Sequence, residues 1–146
     1  MDSEQVKRPA FESAEELETL VRKFESCELP LKDFNHRAHL AVALWYLSRL
    51  PEQEALARMR EGLLRFIGHY GETGYHETMT VFWLKAVRGF LDQPGMEARS
   101  LADEANRLAK ARGDSRLIYD YYSRERLSSA EARAGWREPD LKPLDF

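Results

Sequence analysis

The sequence predicts an all-α fold, a compact bundle of six or seven helices followed by an extended, Pro-containing C-terminal tail. Apolar residues recur at spacings of three and four along successive segments, as they do on the buried face of a helix. Capping residues stand before several of these segments, and Gly and Pro fall mostly between them. No segment alternates convincingly between apolar and polar residues, which is the pattern typical of a strand.

The first three helices are predicted over about 14–27, about 36–50 and about 51–70. Ser13 and Glu16 have capping-box spacing at the first of them. Asn35 is a good N-cap for the second helix, with Asp33 as the alternative, and Pro51 suits the first turn of the third. The second helix is apolar nearly all round, which is typical of a central helix.

Further helices are predicted over about 76–92, over about 96–112, over a segment capped by Asp114 that contains Leu117–Tyr122, and from Ser128 to near Trp136. The fourth helix is strongly apolar, and Pro94-Gly95 ends it. The fifth is more charged, and Gly113 suits its C′ position.

The last ten residues, REPDLKPLDF (137–146), contain two prolines and predict an extended tail. We expect a single helical domain over 1–146 with residues 1–12 flexible. The tail should pack against the helical body through Trp136, Leu141 and Leu144.

Composition and charge exclude several classes of protein. Hydrophobic residues make up 43% and charged residues 32% of the 146 residues, which is typical of a globular chain. The net charge is −3, and no Lys/Arg block exceeds two residues, so a nucleic-acid partner is disfavoured. No apolar run approaches the roughly 18 residues of a membrane span. The N-terminus lacks a signal-peptide pattern, and Cys27 is the single cysteine, which together predict a cytoplasmic protein.

Three of the four histidines predict a metal site. His36 and His39 are spaced i, i+3, so their side chains are neighbours on one helix face. His76 begins the fourth helix and would lie at the same end of the bundle if the second and fourth helices run parallel. The positive first turn of a helix disfavours protonated imidazole, and the neutral form is the one that metals bind. The predicted ligands of a divalent transition metal (Zn, Fe or Cu) are therefore His36, His39 and His76.

Polar neighbours suggest the chemistry of such a site. Glu77 is the candidate for proton transfer or a fourth ligand, and its alternative role is an acid that stabilises the helix start. Thr80 is one turn after His76 and could orient the imidazole, whereas Thr78 is expected to face outward or close a turn. The sequence leaves open whether four further polar residues line the site: His69, Thr80, Tyr119 and Tyr122.

Three segments resemble a family of short bacterial proteins for which no activity is established. They are FNHRAHLAVALWYL (34–47), YHETMTVFW (75–83) and ARAGWREPDLKPL (132–144). The resemblance covers most of the chain and implies that His36, His39 and His76 belong to one site. It implies no reaction.

Two functions follow from these patterns. The first is a small metal-dependent enzyme that acts on a small molecule by hydrolysis, hydration or oxygen chemistry, with Glu77 as its catalytic residue. The alternative is a non-catalytic helical interaction protein in which the histidines are structural and the charged fifth helix or the tail meets a partner. The sequence leaves the oligomeric state open, including a homo-oligomer.

Overall fold

A computed structural model describes residues 10–94 and 100–146, and it confirms the all-α prediction. The α-helices of this part are α1 (Ala14–Ser26), α2 (His36–Leu47), α3 (Glu52–His69), α4 (Glu77–Leu91), α5 (Leu101–Arg112), α6 (Arg124–Leu127) and α7 (Ala130–Ala134). A first 3-10 helix spans Leu31–Asp33 and a second spans Ser115–Asp120. These residues contain no strand.

The predicted caps of the first two helices are confirmed. The Ser13 side chain accepts a hydrogen bond from the Glu16 amide, and the Asn35 side chain accepts one from the Ala38 amide at 2.9 Å. Helix α5 follows its N-cap Ser100, and residues 96–99 of the predicted helix lie outside the described residues.

The predicted sixth helix is wrong in type, because the segment after Asp114 forms the short second 3-10 helix. Asp114 accepts from the Arg116 amide, and Ser123 already caps the next helix through the Arg126 amide. The caps at Asp114 and Ser123 leave eight residues between them, which is too few for an α-helix of average length. Short connectors between helices often take 3-10 geometry instead. Helix α6, which Ser123 starts, was not predicted.

Helix α2 is central, as its all-round apolar sequence predicts. It packs against α1, α3, α4 and α5. Leu40, Val42 and Leu44 on its different faces are each at most 1% exposed. Burial on every side removes the amphipathic pattern that a surface helix shows.

The C-terminal tail is extended and fastened by polar contacts. The Tyr122 hydroxyl donates to the Arg137 carbonyl at 2.5 Å, and the Ser123 hydroxyl donates to Asp140 at 2.6 Å. The Leu141 amide donates to the Tyr121 carbonyl at 2.9 Å. These contacts hold the main chain of the tail against the second 3-10 helix and the residues that follow it.

The apolar side chains of the tail behave differently from one another. Trp136 and Leu144 pack against the core as predicted. Leu141 is 56% exposed, so its predicted packing is wrong. Its main chain, rather than its side chain, makes the contact with the body. Residues 1–9 of the segment 1–12, which is predicted to be flexible, lie outside the described residues. In the described part of this segment, Phe11 forms hydrogen bonds with the Asn106 side chain through both its amide and its carbonyl.

Two glycines of α3 provide a matched test of packing. A Cβ at Gly62 would lie 2.5 Å from the Phe24 ring, whereas a Cβ at Gly68 would meet nothing within 4 Å. We expect Gly62→Ala to lower the free energy of unfolding by about 1–3 kcal/mol through overpacking. Gly68→Ala should raise it by up to about 1 kcal/mol through helix propensity. Urea denaturation of both variants measures this, and equal effects would contradict the close packing of α1 on α3.

Candidate functional site

His36 fastens the start of α2 to the end of α5. Its Nε2 lies 3.0 Å from the carbonyl oxygen of Arg112, the last residue of α5. A carbonyl only accepts, so Nε2 carries the proton and donates. The ring also packs edge-on against Trp83, with 4.3 Å between ring centres. Burial lowers the pKa of His36, which favours the neutral imidazole.

His39 lies beside His36 in an apolar setting. Its ring centre is 6.5 Å from that of His36 and 5.8 Å from that of Phe34. Burial, and next the neighbouring His36 ring, lower the pKa of His39 to about 4. Within the described residues, neither of its ring nitrogens has a hydrogen-bond partner. His39 is therefore neutral at physiological pH and has a free lone pair.

His76 connects two helix ends with one imidazole. As the N-cap of α4, its Nδ1 accepts a hydrogen bond from the Met79 amide at 3.1 Å. Its Nε2 donates to the carbonyl oxygen of Leu127, the last residue of α6, at 2.6 Å. An acceptor at Nδ1 and a donor at Nε2 define the neutral Nε2–H tautomer. Burial lowers the pKa of His76 in agreement with this state, and Arg133 lowers it further.

Glu77 is engaged by an arginine on the adjacent helix. Arg60 of α3 donates to both carboxylate oxygens, at 3.0 and 2.5 Å, and the Tyr75 hydroxyl donates to Oε1 at 2.6 Å. These hydrogen bonds, with Arg60 the main cause, lower the pKa of Glu77. A carboxylate that is stabilised in this way is a weak base. The alternative role predicted for Glu77 is an acid that stabilises the start of α4. The contact with Arg60 also links that helix start to α3.

The structure does not gather the predicted metal ligands into one group. Among residues 10–94 and 100–146, no three or more His, Cys, Asp or Glu side chains are placed to hold a metal ion. His36 contacts Trp83, which is two turns beyond His76 along α4, or about 10 Å. The histidines pair as His36 with His39, and His76 is bound elsewhere. Whether the pair binds metal stays a prediction.

Three of the remaining polar candidates, Thr78, Thr80 and Tyr122, contact main-chain groups. The Thr80 hydroxyl donates to the His76 carbonyl at 2.9 Å and does not orient the imidazole. Thr78 is fully buried, which corrects its predicted outward position, and it donates to the Gly135 carbonyl at 2.8 Å. Tyr122 is committed to Arg137, and His69 is exposed with its ring against Tyr70. Tyr119 lines a cleft together with His76.

The bonding role of the histidines was missed because their partners are helix-terminal carbonyls. The last carbonyls of a helix have no partner within it, and another group must satisfy them. Arg112 before Gly113 marks the end of α5 in the sequence and could have identified one such carbonyl. The end of α6 at Leu127 has no comparable signal.

Comparisons of the chain with protein-family models, with curated proteins and with solved structures find no match. No helix in the described residues has the length and apolar character needed to cross a membrane.

Substitutions of His76 should separate its two bonds. His76→Ala removes the cap of α4 and leaves the Leu127 carbonyl unpaired, so we expect the free energy of unfolding to fall by about 2–4 kcal/mol. His76→Asn keeps a side chain that caps well but is too short for Leu127, and it should cost about 1 kcal/mol less. Chemical denaturation of metal-free protein measures both. Unchanged stability in the two variants would contradict a stabilising role for the bonds from His76 to Met79 and Leu127.

Stability should fall as the pH decreases from about 6.5 towards about 4. The folded pKa values of His36, His39 and His76 lie below the usual 6.5, so the unfolded chain takes up protons first and is favoured. His39 alone would contribute up to about 3 kcal/mol of this loss. Urea denaturation at about pH 7 and about pH 5 should show the fall, with a smaller one in His39→Leu. A flat profile in this range would argue against imidazoles that stay neutral in the folded protein.

Proposed function

We propose that the protein is a non-catalytic helical binding protein in which the histidines are structural. The observation that supports this most directly is at His76, where main-chain groups use both ring nitrogens. A metal ligand needs a free lone pair, and His76 would gain one only by releasing a helix cap or by exchanging its tautomer and losing Leu127. His36 is similarly committed through Nε2 to the Arg112 carbonyl.

The state of Glu77 supports the same proposal. A general base needs a pKa near the operating pH, whereas Arg60 and Tyr75 lower the pKa of Glu77. Its carboxylate has three hydrogen bonds, all to side chains that position α3 and the loop before α4. These contacts are suited to stabilising the bundle.

The competing proposal is the metal-dependent enzyme predicted from the sequence. His39 favours it, because its ring has no hydrogen-bond partner in the described residues and lies next to His36. In that proposal the ion would bind the His39 ring and Nδ1 of His36, with other ligands from solvent or substrate. It requires no contribution from His76.

Metal content and metal-dependent stability distinguish the two proposals. We expect protein purified without a His-tag to contain no stoichiometric Zn, Fe or Cu, and its melting temperature to stay unchanged when each metal is added. If the protein had a specific site, free metal at 100 times its dissociation constant would instead raise the free energy of unfolding by about 2.7 kcal/mol.

The histidines themselves provide the control. His69 is exposed and outside the pair, so His69→Ala reports adventitious surface binding. Stoichiometric metal that is lost in His36→Ala and in His39→Ala, but retained in His69→Ala, would overturn the non-catalytic proposal. Metal lost only in His69→Ala would leave it intact.

A further inference from the structure

A cleft of about 420 Å³ lies where the start of α4 meets the second 3-10 helix and the α6–α7 segment. This volume is within the range of small-molecule sites. Its floor consists of the buried or half-buried side chains of His76, Met79, Tyr119 and Leu127. Because the ring nitrogens of His76 are used by main-chain groups, the floor presents mainly apolar and aromatic surface.

Two arginines stand at the rim of this cleft. Arg124 is positioned by Tyr119, with its guanidinium carbon 4.3 Å from the ring centre. Arg133 lies close enough to His76 to lower the pKa of that imidazole. In the described part of the chain, neither guanidinium forms an ion pair with a carboxylate. Both therefore retain their hydrogen-bond donors for another group.

The other charged group at the rim does not cancel this charge. Glu125 lines the cleft, but it forms no ion pair with either arginine. Two guanidinium groups and one carboxylate leave a net charge of +1. The Ser128 hydroxyl also lines the rim and donates to the Glu125 carbonyl at 3.3 Å.

We propose that this cleft binds a small organic oxyanion, a carboxylate or a phosphate, that carries an apolar or aromatic group. The forked donors of arginine match the two oxygens of such an anion. The body of the ligand would lie on Met79 and Leu127, beside the Tyr119 ring over which Arg124 is stacked, where aromatic and thioether groups favour such contacts. The proposal depends on the rim arginines and the floor, so it stands independently of whether His36 and His39 bind a metal.

Calorimetric titration with four probes tests the proposal at about 0.15 M ionic strength, where weak surface attraction is screened. We expect phenyl phosphate or benzoate to bind with 1:1 stoichiometry, and the tighter of the two identifies the anion. Inorganic phosphate lacks the apolar group and phenol lacks the anion. Each should bind at least about tenfold more weakly than the better probe, which corresponds to about 1.4 kcal/mol.

Variants of exposed arginines localise the binding. Arg124→Gln and Arg133→Gln should each weaken the better probe about tenfold or more, without a change in melting temperature. Arg107→Gln on α5 is the matched control, because Arg107 is exposed and outside the cleft, and it should bind normally. Absence of binding by both organic anions, equal binding of inorganic phosphate, or equal weakening in Arg107→Gln would overturn the proposal.

Discussion

One neutral imidazole, that of His76, joins the start of α4 to the end of α6, two helix termini that are distant in the sequence. Its Nδ1 satisfies an amide in the first turn of α4, and its Nε2 satisfies the last carbonyl of α6. Both groups are left unpaired by helix geometry itself. His36 repeats the second half of this arrangement, because it starts α2 and donates to the last carbonyl of α5. Histidine is suited to this role, since a neutral ring has one donor and one acceptor on opposite sides.

The C-terminal segment depends on such polar contacts more than the rest of the bundle does. Helices α1 to α4 bury long apolar stripes, whereas α6 and α7 are only one turn or slightly longer. Short helices bury little apolar area and are marginal in isolation. Thr78 and Tyr122 therefore fasten the chain near Gly135 and Arg137 through main-chain atoms. The packing of α4 against α7 and the bond from His76 to Leu127 of α6 bring together the residues that line the cleft with Arg124 and Arg133.

Local features of the fold were predictable from the sequence, and long-range polar contacts were not. The cap at Asn35 and the central position of α2 follow from residues close together in the chain. The neutral state of the histidines was also predicted, although burial rather than the helix dipole is its main cause. The bond from His76 to Leu127 joins residues 51 positions apart, and that from His36 to Arg112 joins residues 76 positions apart. No spacing rule identifies such distant partners. Without them, the position of three histidines near helix starts indicates a shared metal site.

Glu77 is a second example of a residue whose role depends on a long-range contact that the sequence pattern does not predict. A carboxylate directly after a candidate ligand suggests a catalytic base, but Arg60 on the preceding helix determines its protonation and its direction. Helix α3 brings Arg60 to this position because it packs against α4. The partner of a charged residue on a neighbouring helix can therefore be assigned only when the packing of the helices is known.

The protonation state of the His76 ring nitrogens tests most directly whether this side chain joins α4 to α6. Nitrogen-15 NMR of the imidazole side chains separates the Nδ1–H, Nε2–H and protonated forms. The structure predicts that His76 is the neutral Nε2–H tautomer and that it keeps this form when the pH is lowered below the usual histidine pKa of about 6.5. An Nδ1–H tautomer, or protonation of His76 at its ordinary pKa in folded protein, would contradict the bond to Leu127 and with it the structural role of this histidine.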